Sequence, residues 1–194
     1  PKASLPATTG ESGQAGQPGQ VVPSDADLDK LILNASILNG ALELLPQSMA
    51  SMAIIPLQMR MVYNIGARHG YSLDRSAIKE LLATLGVGVT GQYLEDVGRK
   101  LLGGLLGKVG GKAFKGVGRA ATGVAFSFAT TWAIGQVARR YYAGGRTMSS
   151  ASLRSSFDSL LGEARGLQAR YAPQIEDQSR RIDLGKLLQQ VRGN

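Results

Sequence analysis

Apolar residues recur at helical spacing along the chain from residue 24 onward. The first run follows Ser24, a preferred N-cap residue, and has acidic residues in its first turn. Pro46 is predicted to end this helix, because a proline ring cannot continue one. A second helix is predicted from Pro56, a favourable first-turn residue, to about Arg68, where Gly70 supplies a stop.

The same periodicity predicts further helices downstream. Asp74 caps a third helix, which is expected to continue to about residue 102. An apolar stripe from Leu153 to Tyr171 predicts an amphipathic helix that Pro173 breaks, and a shorter stripe follows over residues 182–191. No segment shows sustained period-two alternation of β-branched residues. The predicted fold class is therefore all-α, a helical bundle with a C-terminal amphipathic helix.

Composition divides the chain into three parts. Residues 1–23 are rich in Gly, Gln, Ser and Thr, so a disordered tail is predicted there. Residues 24–146 form the predicted helical, membrane-associated domain. Residues 147–194 are interpreted as a C-terminal helical docking arm, and a helix that covers the core is an equally good interpretation of their last segment.

Few residues are suited to catalysis or to metal binding. The chain has no cysteine, which excludes disulfides and thiolate chemistry, and it has one histidine, His69. We interpret His69 as a charge at a helix C-terminus. The acids of the pairs Glu95–Asp96 and Glu176–Asp177 are adjacent, and adjacent residues on a helix do not face each other. No catalytic residue, metal site or cofactor is predicted.

Three glycines, Gly86, Gly88 and Gly91, match the pattern G-x-G-x-x-G of dinucleotide-binding loops. Such a loop needs a preceding strand and an acidic residue about 20 positions later for the ribose. The preceding segment is predicted to be helical, and after Asp96 the next acid is Asp158. We therefore interpret the glycines as a helix-packing surface, with a nucleotide loop as the weaker alternative.

Residues 97–157 contain ten Lys or Arg residues and no acid. A block of one sign implies a polyanionic neighbour, such as lipid head groups, nucleic acid or an acidic protein. Opposite a broad apolar face, one helical stripe of this block would carry four cations, as interfacial helices do: Lys108, Lys112, Lys115 and Arg119. An ordinary half-buried helix with solvated lysines is the alternative.

The segment Ala120–Ala138 has no charged residue and is close to the length that crosses a bilayer. It contains no leucine, so its insertion would be marginal. Aromatic and basic residues in and after it resemble an interfacial anchor that would contact the membrane surface: Trp132, Arg139, Arg140, Tyr141 and Tyr142.

Small residues recur every four positions in the same segment: Ala121, Ala125, Ala129 and Ala133. A ridge of this kind lets a second helix come into close contact. The three glycines Gly86, Gly88 and Gly91 are predicted to supply the opposite surface. The result would be a Gly/Ala-rich helical hairpin, either part of a soluble core or dipping into one leaflet.

The runs PLQMRMVYNIG and TTWAIGQVARRYY, together with Pro46 and the Gly70–Tyr71 turn, resemble the bacterial YcjF-like domain over about residues 40–146. The resemblance implies a helical, membrane-associated domain without known catalysis, which often accompanies dynamin-like or Era-like GTPases. The chain has no G-x-x-x-x-G-K-[ST] motif, so it is not itself such a GTPase. Many relatives have an acid soon after the position of Pro46, and PQSMASMAIIPLQ has none.

The predicted function is a non-catalytic, membrane-associated helical module, an accessory or scaffold subunit of a GTPase or a larger envelope assembly. It is expected on the cytoplasmic face of the inner membrane, peripheral or hairpin-inserted. The predicted partners are anionic lipid, a GTPase or another protein, and a second copy of the chain. Two alternatives stay open, a pore-forming or toxin-like hairpin and a basic nucleic-acid-binding protein. The second is disfavoured because only Phe114 lies among the lysines.

Overall fold

The computed structural model describes residues 24–45, 47–87 and 119–192. The predictions for Lys108, Lys112, Lys115, Gly88 and Gly91 lie outside these residues, as does the predicted tail. The described part is all-α and contains six helices: α1 (Asp25–Leu42), α2 (Gln47–Arg68), α3 (Arg75–Thr84), α4 (Arg119–Ala143), α5 (Ser150–Arg181) and α6 (Leu184–Arg192). The predicted all-α bundle is confirmed.

Four helices, α1, α2, α4 and α5, form the bundle. Helices α1 and α4 pack against each other, and each of them also packs against both α2 and α5. Helix α3 contacts α2 and α5 at one end, and α6 lies on α2. Leucine, isoleucine, valine and phenylalanine side chains from all four bundle helices fill a core that includes Ile32, Val62, Ile134 and Phe157. Burial of these side chains is the main force that holds the bundle together.

Helices α1 and α4 run antiparallel, and successive contacts mark the full length of their interface. Asp29 of α1 pairs with Arg139 of α4. Further along, Asn39 donates a hydrogen bond to Thr131. Near the other end, Glu43 accepts one from Ser127. The charge-free segment 120–138 therefore lies along α1 in the bundle.

Two glycines allow this close approach. A Cβ atom on Gly135 of α4 would lie 2.6 Å from Cγ2 of the buried Ile32. On α1, a Cβ atom on Gly40 would lie 3.4 Å from Cβ of Phe128. A small-residue contact for α4 was expected, and the structure supplies α1 as the close partner in the described region.

Helix α4 is the most deeply buried helix of the bundle core. Phe128, Ala129, Ala133, Ile134 and Val137 are each at most 1% exposed. This burial explains why segment 120–138 of the helix has no charged residue, because an unpaired charge in a protein core is costly. Within the described ranges, no helix is both long enough and apolar enough to cross a membrane.

Two helices continue through prolines that were predicted to mark a helix start or end. Helix α2 begins at Gln47, not Pro56, and α5 passes through Pro173 to Arg181. An interior proline costs about 3 kcal/mol, yet buried residues lie on both sides of each one. Ala53 and Leu57 flank Pro56, and Ile175, which is 1% exposed, follows Pro173. Tertiary burial outweighs the local penalty.

The third helix is much shorter than predicted, because Gly86 ends it. Gly86 has φ 82°, and its N–H donates to the carbonyl of Ala83 while that of Val87 donates to Leu82. This pair of bonds is a Schellman motif, which requires a left-handed residue that glycine adopts without strain. Gly86 therefore caps α3, a role that the sequence analysis did not assign to it, and its predicted packing role stays a prediction.

The C-terminal helices complete the core. Leu153, Phe157 and Leu160 of α5 are each at most 5% exposed, and they belong to the same cluster as α1, α2 and α4. From α6, Leu184, Leu187 and Leu188 pack on Leu42, Ala53 and Leu57. Residues of the predicted docking arm thus pack against the bundle.

Candidate functional site

Arg139, a predicted membrane contact, is bound by the chain itself. Its Nη1 lies 2.7 Å from Oδ1 of Asp29, and Gln136 donates to the same oxygen from 3.3 Å. The Arg139 side chain is 26% exposed. Because its charge is already paired, we correct its predicted role to a link between α1 and α4.

Tyr142, another predicted interfacial residue, belongs to the core. It is 3% exposed, and its ring lies 5.4 Å from that of Tyr71 and 5.3 Å from that of Tyr141, between centroids. Burial raises the pKa of the Tyr142 hydroxyl to about 12. A buried tyrosine cannot anchor the protein to a membrane surface, so this prediction is wrong.

Two more arginines of the acid-free block contact the bundle. The guanidinium of Arg146 lies 5.9 Å from the ring centroid of Tyr71, and its hydrogen bond with Tyr141 raises the pKa of Arg146. The Nε of Arg154 donates to the carbonyl of Thr84, 2.9 Å away. The acid-free stretch of the sequence therefore includes Arg154, which links α5 to α3, and Arg146, which lies against Tyr71 of the segment after α2.

The remaining predicted contacts are divided between core and surface. Trp132 and Tyr141 are half-buried and pack against the main core cluster. Arg140 is exposed. Arg119 is the first residue of α4 and Ala121 lies in its first turn. Ala125 is half-buried, whereas Ala129 and Ala133 are buried.

A buried polar layer, Asn39, Gln58 and Thr131, joins α1, α2 and α4. The side-chain amides of Asn39 and Gln58 donate to Oγ1 of Thr131 from 2.9 and 3.0 Å. All three residues are at most 2% exposed. The carbonyl oxygens Oδ1 of Asn39 and Oε1 of Gln58 are buried and have no hydrogen-bond partner. Sequence patterns gave no signal for this layer.

Helices α2, α3 and α6 line a groove with a volume of about 720 Å³. We call it the α2–α3–α6 groove. Its apolar lining on α2 consists of Met52, Pro56, Met59 and Tyr63. Leu73, Ile78 and Leu188 add further apolar side chains from the neighbouring segments. Met52 is 57% exposed and Tyr63 is 47% exposed. Large apolar side chains open to water in a concave surface are typical of interaction sites.

The rim of this groove is positively charged. Arg60, Arg75 and Lys79 line it, and the acid that lines it is Asp74. Asp74 is the N-cap of α3, and its Oδ1 accepts a hydrogen bond from the backbone N–H of Ala77, 2.7 Å away. That carboxylate is thus partly engaged by its own helix. The groove therefore presents three cations around an apolar floor.

The sequence analysis did not identify this groove, although α2 carried a signal for it. Residues 52–57 of α2 are apolar around the whole helix, whereas a helix that packs on one side has a polar outer face. Because Pro56 was interpreted as a helix start, Met52 was not placed on the same helix as Met59 and Tyr63. The α3 and α6 sides of the groove depend on tertiary packing, which the pattern does not reveal.

The described residues were also compared with the arrangement that a metal ion needs. Within the described ranges, no cluster of three or more His, Cys, Asp or Glu side chains is arranged to hold a metal ion. Among the buried hydroxyls, Ser36 and Thr130 donate to carbonyls of their own helices, and Ser127 donates to Glu43, the C-cap residue of α1. The arrangement of the groove suits binding by contact and charge.

Comparisons with protein-family models, with curated proteins and with solved structures found no match to the chain.

Proposed function

We propose that the protein is a non-catalytic helical module that attaches to an anionic membrane surface and serves as an accessory or scaffold subunit of a larger assembly. The observation that carries the proposal is the run of residues 97–118, which has five basic residues and no acid. Basic residues near an anionic leaflet contribute about 1 kcal/mol each. The resemblance to the YcjF-like domain adds a GTPase as the expected partner and the cytoplasmic face of the inner membrane as the expected location.

The fold favours peripheral attachment over insertion of the segment 120–138. Most of its described apolar side chains, among them Phe128, Ile134 and Val137, are already buried in the bundle. Membrane insertion of this segment would expose the apolar faces of α1, α2 and α5 that pack against it. The free-energy cost would be proportional to the apolar area that is exposed. A basic segment that lies on head groups requires no such opening of the bundle.

Flotation with lipid vesicles tests the attachment. The wild-type protein is expected to float with vesicles that contain phosphatidylglycerol, and less so as salt rises, because salt screens surface charge. The triple variant Lys108→Glu, Lys112→Glu, Lys115→Glu is expected to bind about a hundredfold more weakly, from three lost attractions of about 1 kcal/mol each.

A matched control places the same charge change elsewhere. Lys30, Arg170 and Arg180 are exposed on α1 and α5, and their triple change to Glu is expected to leave flotation nearly unchanged. Equal loss in both triple variants would mean that net charge alone attracts the protein. Equal binding of wild type to neutral and anionic vesicles would refute the proposal, and dye release on binding would favour a pore.

A further inference from the structure

The α2–α3–α6 groove has the dimensions of a docking site for a helix. On α2, Met52, Pro56, Met59 and Tyr63 follow one another at i, i+4, i+7 and i+11, which places them in one lengthwise row. Eleven residues of helix correspond to about 16 Å, or three turns. A helix laid along this row would present its own anchors at similar spacing.

The apolar floor is adaptable and accessible. Met52 and Met59 have flexible, polarisable side chains of the kind found on surfaces that accept helices of varied sequence. Met52 and Tyr63 are half exposed at either end of the row. An occupant of this open groove keeps one side in water. That condition suits an amphipathic helix with a polar outer face, whereas it would leave an acyl chain partly exposed.

The positive charge of the rim indicates that the partner carries negative charge where it meets the groove. Arg60 lies on α2 next to Met59, while Arg75 and Lys79 lie four residues apart on α3, and all three line the groove. Cations on the rim of an apolar groove favour a ligand with acidic flanks and suppress basic ones. The basic segment 97–118 of the chain itself is a poor match for the same reason.

We propose that the α2–α3–α6 groove binds an acidic amphipathic helix of a partner protein. This proposal deepens the accessory role proposed above. It rests on that role in one respect, that the ligand of the groove is another protein. Apolar anchors of the partner would cover Met52, Met59 and Tyr63, and its acidic flanks would face Arg60, Arg75 and Lys79.

The test uses a model helix as its probe. The peptide has about four turns, with Leu at i, i+3, i+4 and i+7 facing one side and Glu on the flanks. Binding is followed by fluorescence anisotropy and by NMR of [13C-methyl]methionine in the full chain. We expect saturable binding that weakens with salt and shifts the methyl resonances of Met52 and Met59 much more than that of Met61, which is 3% exposed in the core.

Variants separate the groove from general charge. The double variant Arg60→Glu, Lys79→Glu is expected to weaken peptide binding at least tenfold, or about 1.4 kcal/mol. The control Lys30→Glu, Arg170→Glu, with the same charge change at exposed positions on α1 and α5, should bind as wild type does. Met52→Glu should also lose the peptide, whereas Leu44→Glu, at a position 40% exposed outside the groove lining, should not.

Several results would overturn the inference. One is that the peptide does not bind, or that a scrambled peptide or one with Lys in place of Glu binds equally well. Another is that anionic vesicles, and not the peptide, shift the methyl resonances of Met52 and Met59. Flotation of the same variants distinguishes this failure from that of the membrane proposal. Groove variants are expected to float normally, and the Lys108, Lys112, Lys115 variant is expected to bind the peptide normally.

Discussion

At the scale of single residues, several side chains with an apparent surface role prove to be internal. Tyr142 and Arg139 look like an interfacial anchor in the sequence, yet Tyr142 is buried beside Tyr71 and Arg139 is paired with Asp29. Local sequence does not distinguish these cases, because the residues that bury them come from α1 and from the turn after α2. An aromatic and basic pair after an apolar run therefore indicates an anchor only when the run itself faces lipid.

Burial of Tyr142 predicts a loss of stability at high pH. The hydroxyl ionises near pH 10 in the unfolded chain, but in the folded protein burial raises its pKa to about 12. Between these values the unfolded state has lost the proton that the folded state keeps, so the free energy of unfolding falls as pH rises. The full loss is about 2–3 kcal/mol, from two pKa units at 1.36 kcal/mol each.

Urea denaturation between pH 9 and pH 12 measures this loss. The free energy of unfolding of the variant Tyr142→Phe is expected to fall less over that range than that of wild type, because the variant lacks the ionisable group. Tyr63→Phe, at a residue 47% exposed, serves as the control and should follow wild type. Identical pH profiles for wild type and Tyr142→Phe would show that Tyr142 is not buried as described.

At the scale of helices, the buried polar layer makes the packing of α1, α2 and α4 specific. Thr131 accepts from both Asn39 and Gln58, so a shift of any helix by one turn would leave buried amides without a partner. Leaving a buried polar group unsatisfied costs about 1–3 kcal/mol. The layer thus opposes alternative registers that a purely apolar core would tolerate.

The near-isosteric variant Thr131→Val tests this layer. It removes the shared acceptor and strands two amide donors, and we expect a loss of about 2 kcal/mol or more in the free energy of unfolding. Thr130→Val is the matched control, because Thr130 is also buried but its hydroxyl donates within α4 to the carbonyl of Phe126. Chemical denaturation of both variants gives the comparison. Equal losses of stability in the two variants would mean that the hydrogen bonds between helices contribute no more than the bond within α4.

The same scale shows how far sequence alone can predict this protein. Helical periodicity and the caps Ser24 and Asp74 correctly indicate an all-α fold and the starts of α1 and α3. Predictions failed where tertiary packing overrides a local signal, as at Pro56 and Pro173. The predicted length of the third helix also failed, because Gly86 caps it, although Gly86 followed by the apolar Val87 is itself a cap signal.

For the whole molecule, two regions have different proposed tasks, a groove in the described bundle and a basic run of the sequence. The α2–α3–α6 groove is apolar with a cationic rim and is proposed to hold an acidic helix. The basic run of residues 97–118 precedes α4 and is proposed to meet anionic lipid. The core side chains of α1, α2, α4 and α5 hold the bundle together. A packed helical core with one docking groove and one basic run would suit an accessory module.

Hydrogen–deuterium exchange of the protein on phosphatidylglycerol vesicles tests this account most directly. We expect added protection in residues 97–118 upon binding, with exchange in α1, α4 and α5 unchanged, because the bundle is proposed to stay closed while the basic run contacts head groups. Faster exchange in α1 and α5 together with new protection in α4 would contradict the account, since it would mean that α4 leaves the bundle and enters the bilayer.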